Sequence, residues 1–549
     1  MGMFFGKRPS GGGVEAWEAL RAGFRWDLPS RFNMAEACCT RWALAEPGRL
    51  ALIHLAADGR EHHFTYGAFE EQAARLARAL AARGLERGDR VAILLAQAPE
   101  VLITHFAAWK LGAVTLPLFT PFGPDALQYR LADAGARMVV TDRDNFEKLA
   151  SIRADLPDLA EVFCIDGAPA GARDFHAEIA AAAPLAQPVQ TGPGDPALLV
   201  YTSGTTGPPK GVLHGHRVLI GHLPAVELHH EFFPRPGDRG WTPADWAWIG
   251  GLMNLALPCL LHGVPLLGHR MRRFDPEAAF ALIAGQGVRN LFLPPTALRM
   301  MQGAMRSPGG MPAGMVVRTV SSGGESLGAG LREWARDAMG ASVNEIYGQT
   351  ECNLVISSCN ALFETPEGAM GRVVPGHEVA IVGARGQVLG DGEVGEIAVR
   401  APDPVMMLSY WNRPDAQESK FVNGWLRTGD LGLRDGAGFF TYVSRDDDVI
   451  TSAGYRIGPS EIESCLAAHP DVVMAAAVGV PDDLRTEVVE AHVVLRAGLR
   501  GSEELARALI ARVRRKVSPH VAPRCIHWAE SLPMTATGKI MRRALRARS

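Results

Sequence analysis

The sequence has little lysine, no CxxC cysteine pair and no long hydrophobic run. None of its eight cysteines forms a CxxC pair, which excludes zinc ribbons and thioredoxin-like motifs and favours reduced thiols. No stretch approaches the roughly 18–20 apolar residues that a membrane helix needs. Residues 1–13 run into glycines instead of an apolar region, so we expect no secretory signal. These absences predict a cytoplasmic protein without a membrane span.

The charges of the chain almost balance. There are 56 basic and 59 acidic residues, a net charge of −3, so the composition indicates no nucleic acid partner and no anionic membrane partner. With 549 residues, of which 47% are hydrophobic, the core can be large without disulfides or metals. Because lysine is scarce, a lysine within a chemical motif carries extra weight. The lysines are Lys7, Lys110, Lys148, Lys210, Lys420, Lys516 and Lys539.

Short apolar strands alternate with helical patterns through most of the chain. This alternation predicts βαβ units and parallel sheets up to about residue 340. From about residue 371, short strands between Gly and Asp turns predict a small antiparallel barrel or sheet. The predicted fold is therefore α/β, with a large N-terminal domain (1–446) of two mostly parallel α/β subdomains plus a small β-barrel-like subdomain. A small mobile α+β C-terminal domain (447–549) follows, and the first 30 residues are expected to be a loose lead-in.

Two short glycine motifs occur in contexts that weaken their usual meaning. Residues 390–395 match GxGxxG, but apolar alternation on both sides predicts a hairpin instead of the strand and helix of a dinucleotide site. Residues 324–328 match the GxSxG nucleophile elbow. Its serine, Ser326, comes five residues after Ser321, the end of the predicted strand, and not at the turn itself. A serine hydrolase using Ser326 stays an alternative of another class.

A loop rich in glycine, serine and threonine follows a predicted buried strand. It reads YTSGTTGPPKG from Tyr201 to Gly211. Backbone N–H groups and hydroxyls of such a loop can converge on phosphate oxygens, and Lys210 adds a compact positive charge. Because Pro209 precedes the lysine, the loop is not a Walker A motif. It predicts a phosphate-binding site.

Four further motifs follow in chain order. They are YGQTE (347–351), GWLRTGD (424–430), SRDDDVI with GYRI (444–457) and PMTATGK (533–539). Together with the loop at 201–211, they resemble the motif set of the adenylate-forming superfamily, which includes acyl-CoA synthetases, carrier-loading adenylation domains and luciferases. The string GYRIGPSEIE (454–463) and the Phe32-Asn33 start are most similar to short- and medium-chain acyl-CoA synthetases.

The resemblance implies a two-step reaction that uses ATP, Mg²⁺ and coenzyme A. A small carboxylic acid attacks the α-phosphate of ATP to give acyl-AMP and pyrophosphate, and the CoA thiol then displaces AMP. Because the carboxylate and ATP repel each other, positive charge and Mg²⁺ must be placed at the phosphates. An enzyme that loads a carrier protein instead of CoA is a same-fold alternative.

The resemblance also assigns the nucleotide site. Asp430 would accept both ribose hydroxyls, with Arg445 beside it, and Glu351 would bind Mg²⁺ through oxygen. Thr350 would contact the α-phosphate and Arg456 a phosphate. The phosphate loop comprises Thr202, Ser203, Gly204, Thr205, Thr206, Gly207 and Lys210. The remaining nucleotide-binding residues are Gly323, Gly324 and Glu325, as the adenine loop, and Tyr347, Gly348 and Gln349.

The C-terminal motifs carry the moving parts of the implied mechanism. Lys539 would bridge the carboxylate and the α-phosphate, and Asp447 would be the hinge about which the C-terminal domain rotates between half-reactions. Gly454 would line the pantetheine tunnel with Tyr455. Since relatives silence this lysine by acylation, a protein lysine acetyltransferase acting on Lys539 is an expected partner.

The acyl pocket is expected at Trp248, Gly251 and Gly348. Acetate-specific relatives carry tryptophan directly before the QTE of the YGQTE block, where this chain has Gly348. We therefore predict an acid larger than acetate, either medium-chain, branched or aromatic. No Arg or Lys obviously reaches the stretch 242–253, which favours an apolar monocarboxylate over a dicarboxylate.

Overall fold

The structure is a computed structural model of the chain. It describes residues 2–6, 8–9, 11–202, 208–305, 313–325, 327, 329–445, 448–452, 455–482, 486–535 and 539–546. Within these ranges the side chains of residues 329, 451, 455, 456 and 486 lie outside the description.

One eight-stranded sheet carries the alternating elements of the first part of the chain. Its strand Arg90–Leu94 pairs in parallel with Val114–Pro117 on one side and with Met138–Thr141 on the other, as the predicted βαβ units require. These strands are buried along most of their length, which is typical of a sheet between helices. The spatial order is Ser409–Tyr410, Lys210–Gly215, Pro196–Thr202, Val114–Pro117, Arg90–Leu94, Met138–Thr141, Glu161–Cys164 and Arg173–Asp174.

A second sheet has fourteen strands, including one side strand. Thr319–Gly323 and Ser342–Gln349 are parallel neighbours in its middle, so their carboxyl ends lie at the same edge. The spatial order is Val379–Val382, Gly395–Arg400, Trp425–Arg434, Phe440–Arg445, Ala369–Val373, Cys352–Ser357, Ser342–Gln349, Thr319–Gly323, Asn290–Phe292, Gly240–Trp241, Leu266–His269, Leu50–Leu55 and Glu61–Thr65, with Phe421–Val422 beside Trp425–Arg434. The short strands after residue 371 are antiparallel, and they continue this sheet through Ala369–Val373.

A third sheet of five strands forms the C-terminal region. Two helices, Pro459–Ala467 and Glu503–Lys516, contribute to the apolar core beside it. The spatial order is Tyr455–Ile457, Ile450–Ser452, Thr486–Leu495 and Val472–Asp482, with Cys525–Trp528 beside Thr486–Leu495. With these three sheets the predicted α/β fold class, a large N-terminal part and a small C-terminal part, is confirmed.

Helices connect and cover the strands. None in the described ranges is long and apolar enough to cross a membrane. The α-helices of the N-terminal part are Gly13–Gly23, Arg41–Ala45, Tyr66–Ala82, Pro99–Lys110, Pro124–Ala134, Arg143–Ile152, Phe175–Ala181, Arg217–His229, Ile249–Gly251, Leu257–Leu261, Pro276–Gly285, Pro295–Ala304, Ala329–Met339 and Pro414–Ser419. Shorter turns are Glu36–Thr40 and Leu252–Ala256, which are π-helical, and the 3₁₀ turn Arg153–Asp155; Arg542–Arg546 is the last helix.

The expectation of a loose lead-in was wrong. Residues 13–23 form a helix whose Trp17 is fully buried and donates its indole N–H to the Val373 carbonyl at 3.0 Å. Ahead of this helix, the backbone N–H groups of residues 3–5 donate to the carboxylate of Glu227, which is itself fully buried. The sequence did not predict this structure, because the residues that stabilise it are more than 200 positions away in the chain. The glycines at 11–13 suggested a loop instead.

The strands next to the two glycine motifs show the structural context of each motif. Val379–Val382 and Gly395–Arg400 pair as an antiparallel hairpin, so a strand follows residues 390–395, as predicted. Near the second motif, a strand was expected to end at Ser321, but the strand in the structure runs from Thr319 to Gly323. Ser326 lies outside the described residues.

Candidate active site

Two of the predicted motifs meet at the carboxylate of Asp430. Tyr347 donates its hydroxyl to Asp430 Oδ2 at 2.7 Å, and Arg445 contacts Oδ1 at 3.0 Å. The side-chain amide of Gln349 donates to the Thr428 carbonyl at 2.9 Å. Burial, together with the nearby Asp430, raises the pKa of Tyr347, so its hydroxyl stays a donor. The sheet thus holds the Asp430 carboxylate between Tyr347 of YGQTE and Arg445 at the end of strand Phe440–Arg445.

The predicted adenine loop begins where the strand Thr319–Gly323 ends. A Cβ on Gly323 would overlap the carbonyl of Ile346 on the neighbouring strand, so this close approach requires glycine. Gly324 follows with φ +99°, a conformation that favours glycine. Glu325 is fixed by Arg299 at 2.9 Å and by the Thr296 hydroxyl at 3.2 Å. Residues 323–325 thus have defined backbone and side-chain contacts, and they lie directly beside YGQTE.

A tyrosine outside every predicted motif connects the two charged groups of the phosphate region. Tyr410 donates its hydroxyl to Glu351 Oε1 at 2.5 Å. The ammonium of Lys210 lies 5.4 Å from the centroid of the same ring, within cation–π range. Sequence reasoning missed Tyr410, because it follows the apolar run VMML and resembles ordinary core; the adjacent aromatic pair Tyr410-Trp411 was the only local signal.

The surroundings of Glu351 fit a magnesium ion shared with phosphates. Glu351 is 8% exposed, and among the described residues a donor is placed at Oε1 and none at Oε2. The described part of the chain holds no cluster of three or more His, Cys, Asp or Glu side chains suited to a metal. Mg²⁺ is commonly bound by one or two carboxylates, with substrate phosphates and water completing its shell. The donor set fits that mode.

Lys539 reaches the adenine loop from the other end of the chain. Its Cε lies 4.0 Å from the position that a Cβ would take on Gly324, and the Trp248 ring lies 3.4 Å from the same point. The backbone of Lys539 is fixed in a turn by Thr535, which accepts its N–H through Oγ1 at 3.0 Å and donates to its carbonyl at 2.7 Å. Residues 324 and 539 therefore meet at one place, with the lysine side chain exposed.

An ion-pair cluster braces the segment that carries Lys539. Arg542 contacts Asp448 Oδ2 at 3.0 Å and Glu463 Oε2 at 2.8 Å, and all three side chains are largely buried. Asp448 directly follows the predicted hinge in sequence. The position of Lys539 is thus tied to the first residues after Asp447.

Several predicted residues lie partly or wholly outside the description. Thr202 and Lys210 flank the phosphate loop and are paired across neighbouring antiparallel strands, and Thr350 lies in the turn between Gln349 and Glu351. The roles assigned to the others stay predictions. Outside the described residues are Ser203, Gly204, Thr205, Thr206, Gly207, Asp447 and Gly454, together with the side chains of Tyr455 and Arg456.

A cavity of about 590 Å³ lies beside Trp248. Of the residues predicted for the acyl pocket, Trp248 lines this cavity, whereas Gly251 and Gly348 do not. The expectation that no basic side chain reaches this region was wrong, because helix Arg143–Ile152 and the segment 270–272 fold against it. Its lining includes Gln97, Phe119, Asp245, Phe274, Thr296, Ala297, Met300, Lys148, Arg270 and Arg272.

Gly348 has a structural reason to be glycine. A Cβ there would overlap the backbone N of Leu354 and lie 2.8 Å from Asn353 Cα, across the hairpin. In this backbone, the missing side chain therefore opens no space for substrate, contrary to the argument from sequence.

We expect Gly348→Ala to lower the free energy of unfolding by about 1–3 kcal/mol, the usual cost of overpacking. Urea denaturation would measure it. Gly285→Ala is the matched control, since a Cβ on Gly285 meets nothing within 4 Å. A Gly348→Ala protein as stable as the wild type would contradict this account.

Known proteins share both the sequence and the fold. Residues 39–411 match the family described as AMP-binding enzyme, and residues 461–539 match the AMP-binding enzyme C-terminal domain. An acetyl-coenzyme A synthetase of Bacillus subtilis strain 168 is 33% identical over 499 residues, covering 89% of this chain and 85% of the relative. A mitochondrial acyl-coenzyme A synthetase of Rattus norvegicus is 30% identical over 535 residues, covering 95% and 92%.

Two solved structures superpose over nearly the whole chain. An anthranilate CoA ligase in complex with anthranoyl-AMP has a TM-score of 0.87 at 26% identity, covering 95% of this chain and 98% of that one. A benzoate CoA ligase from Burkholderia xenovorans LB400 has a TM-score of 0.83 at 28% identity, covering 94% and 100%. Family and fold agree, and they replace the serine hydrolase alternative. The chain therefore belongs to the AMP-binding enzymes, as an AMP-forming acyl-CoA synthetase that activates an acid with ATP and uses Mg²⁺ and coenzyme A.

Proposed function

We propose that the enzyme activates an apolar monocarboxylic acid larger than acetate, either medium-chain, branched or aromatic. The observation that carries this proposal is the cavity of about 590 Å³ beside Trp248, a size typical of pockets for ligands much larger than acetate. Phe119, Phe274 and Met300 supply apolar lining. The names of the two solved relatives, an anthranilate and a benzoate CoA ligase, support an aromatic acid.

The basic side chains along the cavity are already engaged with protein groups. The Lys148 ammonium donates to the Thr120 carbonyl at 2.7 Å and to Asn145 Oδ1 at 2.8 Å. Arg270 lies 3.7 Å from a carboxylate oxygen of Asp142, and Arg272 lies 3.4 Å from one of Asp144. A second carboxylate on the substrate would have to compete with these partners, which supports a monocarboxylate.

In the first half-reaction each residue has a separate task. Lys539 holds the attacking carboxylate and the α-phosphate together; its Cε approaches Gly324 of the adenine loop, which supports this role. Thr202 and Lys210 bind the outer phosphates and Thr350 the inner one. Mg²⁺, when bound at Glu351, neutralises phosphate charge. Asp430 accepts the ribose hydroxyls, oriented by the contacts that Tyr347 and Arg445 make with it.

The second half-reaction requires the C-terminal domain to present another surface. We place the boundary between residues 446 and 447, with Asp447 as the hinge and with Gly454 and Tyr455 at the thiol entrance. Rotation would withdraw Lys539 from Gly324. The exposed side chain of Lys539 is accessible to an acetyltransferase, and acetylation would remove the charge that adenylation needs.

A panel of carboxylates, scored by pyrophosphate release with CoA present, tests the proposed substrate class. We expect kcat/KM for hexanoate, a branched acid or benzoate to exceed that for acetate by at least about tenfold, because apolar burial of added carbons is worth 1–3 kcal/mol. Succinate serves as the dicarboxylate control. Acetate or succinate as the best substrate would overturn the proposal. Separately, AMP release that depends on CoA and needs no carrier protein distinguishes CoA ligation from carrier loading.

A further inference from the structure

We infer that Tyr410 is a positioning residue for adenylation, which orients Glu351 toward the metal and keeps Lys210 apart from it. The inference rests on the proposed roles of these two residues. Tyr410 belongs to none of the five motifs, and its side chain is 5% exposed. It contacts both Glu351 and Lys210.

The hydroxyl of Tyr410 determines which carboxylate oxygen is available. A carboxylate turns easily about its last bond, because that torsion has broad minima. The 2.5 Å hydrogen bond to Oε1 fixes the plane of the Glu351 carboxylate and occupies one of its oxygens. Oε2 then has a defined direction and, among the described residues, no donor. A metal therefore meets a carboxylate that is already oriented, which lowers the cost of binding.

The ring of Tyr410 acts on the lysine. Lys210 lies over the ring at 5.4 Å and forms no ion pair with a described carboxylate. Without an aromatic ring at this place, the flexible ammonium would be free to approach Glu351, and the direct ion pair would compete with both metal and phosphate. The cation–π contact holds the lysine without neutralising its charge, so both charges stay available to ATP.

The backbone around Tyr410 makes it rigid enough for this task. Its N–H donates to Gln417 Oε1 at 3.1 Å, and it pairs with Val212 in the strand that Lys210 begins. Three residues earlier, the N–H of Met407 donates to the Glu351 carbonyl at 2.9 Å. Tyr410 is thus fixed to the strand of the lysine and to the residue that would bind the metal.

A calorimetric titration tests the inference by binding alone. ATP is titrated into the enzyme at a series of Mg²⁺ concentrations, in the absence of the carboxylic acid substrate. For Tyr410→Phe we expect the Mg²⁺ concentration for half-maximal ATP binding to rise about 10- to 100-fold, as for other residues that orient metal ligands. ATP affinity at saturating Mg²⁺ should stay near that of the wild type. Tyr410→Leu should in addition weaken ATP binding at saturating Mg²⁺, because the ring is lost.

Two variants separate the explanations. Tyr66→Phe is the matched control, since Tyr66 is a buried tyrosine whose hydroxyl donates to the Leu260 carbonyl at 2.8 Å, away from the site. It should leave the Mg²⁺ dependence unchanged. If Glu351→Gln loses its Mg²⁺ dependence but Tyr410→Phe keeps that of the wild type, the inference about Tyr410 is wrong and the metal site stands. If Glu351→Gln itself binds Mg²⁺ and ATP like the wild type, the proposed metal site fails and the inference fails with it.

Discussion

Lys539→Ala should lose acyl-AMP formation by about 10³-fold and keep the conversion of supplied acyl-AMP to thioester. The reason is that Lys539 contributes its charge only while it lies beside Gly324, and removal of one such electrostatic donor commonly costs 10²–10³ in rate. Pyrophosphate–ATP exchange measures the first half-reaction. Thioester formation from synthetic acyl-AMP and CoA measures the second.

The matched control for this experiment is Lys516→Ala, another exposed lysine of the C-terminal region, on helix Glu503–Lys516. It should leave both half-reactions intact. Gly454→Leu should have the opposite effect to Lys539→Ala, sparing adenylation and blocking thioester formation. Equal loss of both half-reactions in Lys539→Ala and Gly454→Leu would show that the two steps share one arrangement of domains.

Asp430→Asn should lower kcat/KM for ATP by about 10²-fold or more. A carboxylate that accepts two hydroxyl hydrogen bonds contributes about 1.5–3 kcal/mol for each, and asparagine keeps the volume while removing the charge. The decisive comparison uses 2′,3′-dideoxy-ATP, which lacks both hydroxyls. The wild type should discriminate strongly against it, whereas Asp430→Asn should discriminate little, because the two changes remove the same interaction.

Asp391→Asn is a suitable control, since Asp391 pairs with Arg434 at the surface of the same sheet. Its discrimination between the two nucleotides should equal that of the wild type. If Asp430→Asn still discriminates as strongly as the wild type, the carboxylate has a structural role and the ribose contact lies elsewhere.

The sequence predicted those parts of the molecule that depend on local chemistry. The alternation of strands and helices up to about residue 340 follows from apolar periodicity, and the structure has parallel strands there at Arg90–Leu94, Val114–Pro117 and Met138–Thr141. The motif resemblance assigned YGQTE and Asp430 to one nucleotide site, and the structure brings Tyr347, Gln349 and Asp430 into contact. A shared motif can predict such contacts, because the chemistry of a site requires particular residue types at particular positions.

What the sequence could not predict depends on contacts between distant segments. Tyr410 has a role only because its strand pairs beside Lys210, and no local pattern announces that pairing. The sequence suggested that Gly348 opens space for substrate, whereas the close backbone of Asn353 and Leu354 across the hairpin explains why the residue is glycine. The basic residues of the cavity lie in segments around 148 and 270, far in sequence from Trp248. Contacts between segments that are far apart in sequence are determined by tertiary packing, which local sequence patterns do not show.

The ion-pair cluster of Arg542, Asp448 and Glu463 has a consequence for the populations of the two domain arrangements. All three residues follow the proposed hinge, so rotation would leave these buried charges paired and would change only how the domains face each other, such as the approach of Lys539 Cε to Gly324. The free-energy difference between the arrangements then excludes the several kcal/mol that separating buried charges would cost. Each ligand shifts the equilibrium only by its differential affinity for the two states, and none has to supply the energy of separating these charges. ATP would favour one population and CoA the other.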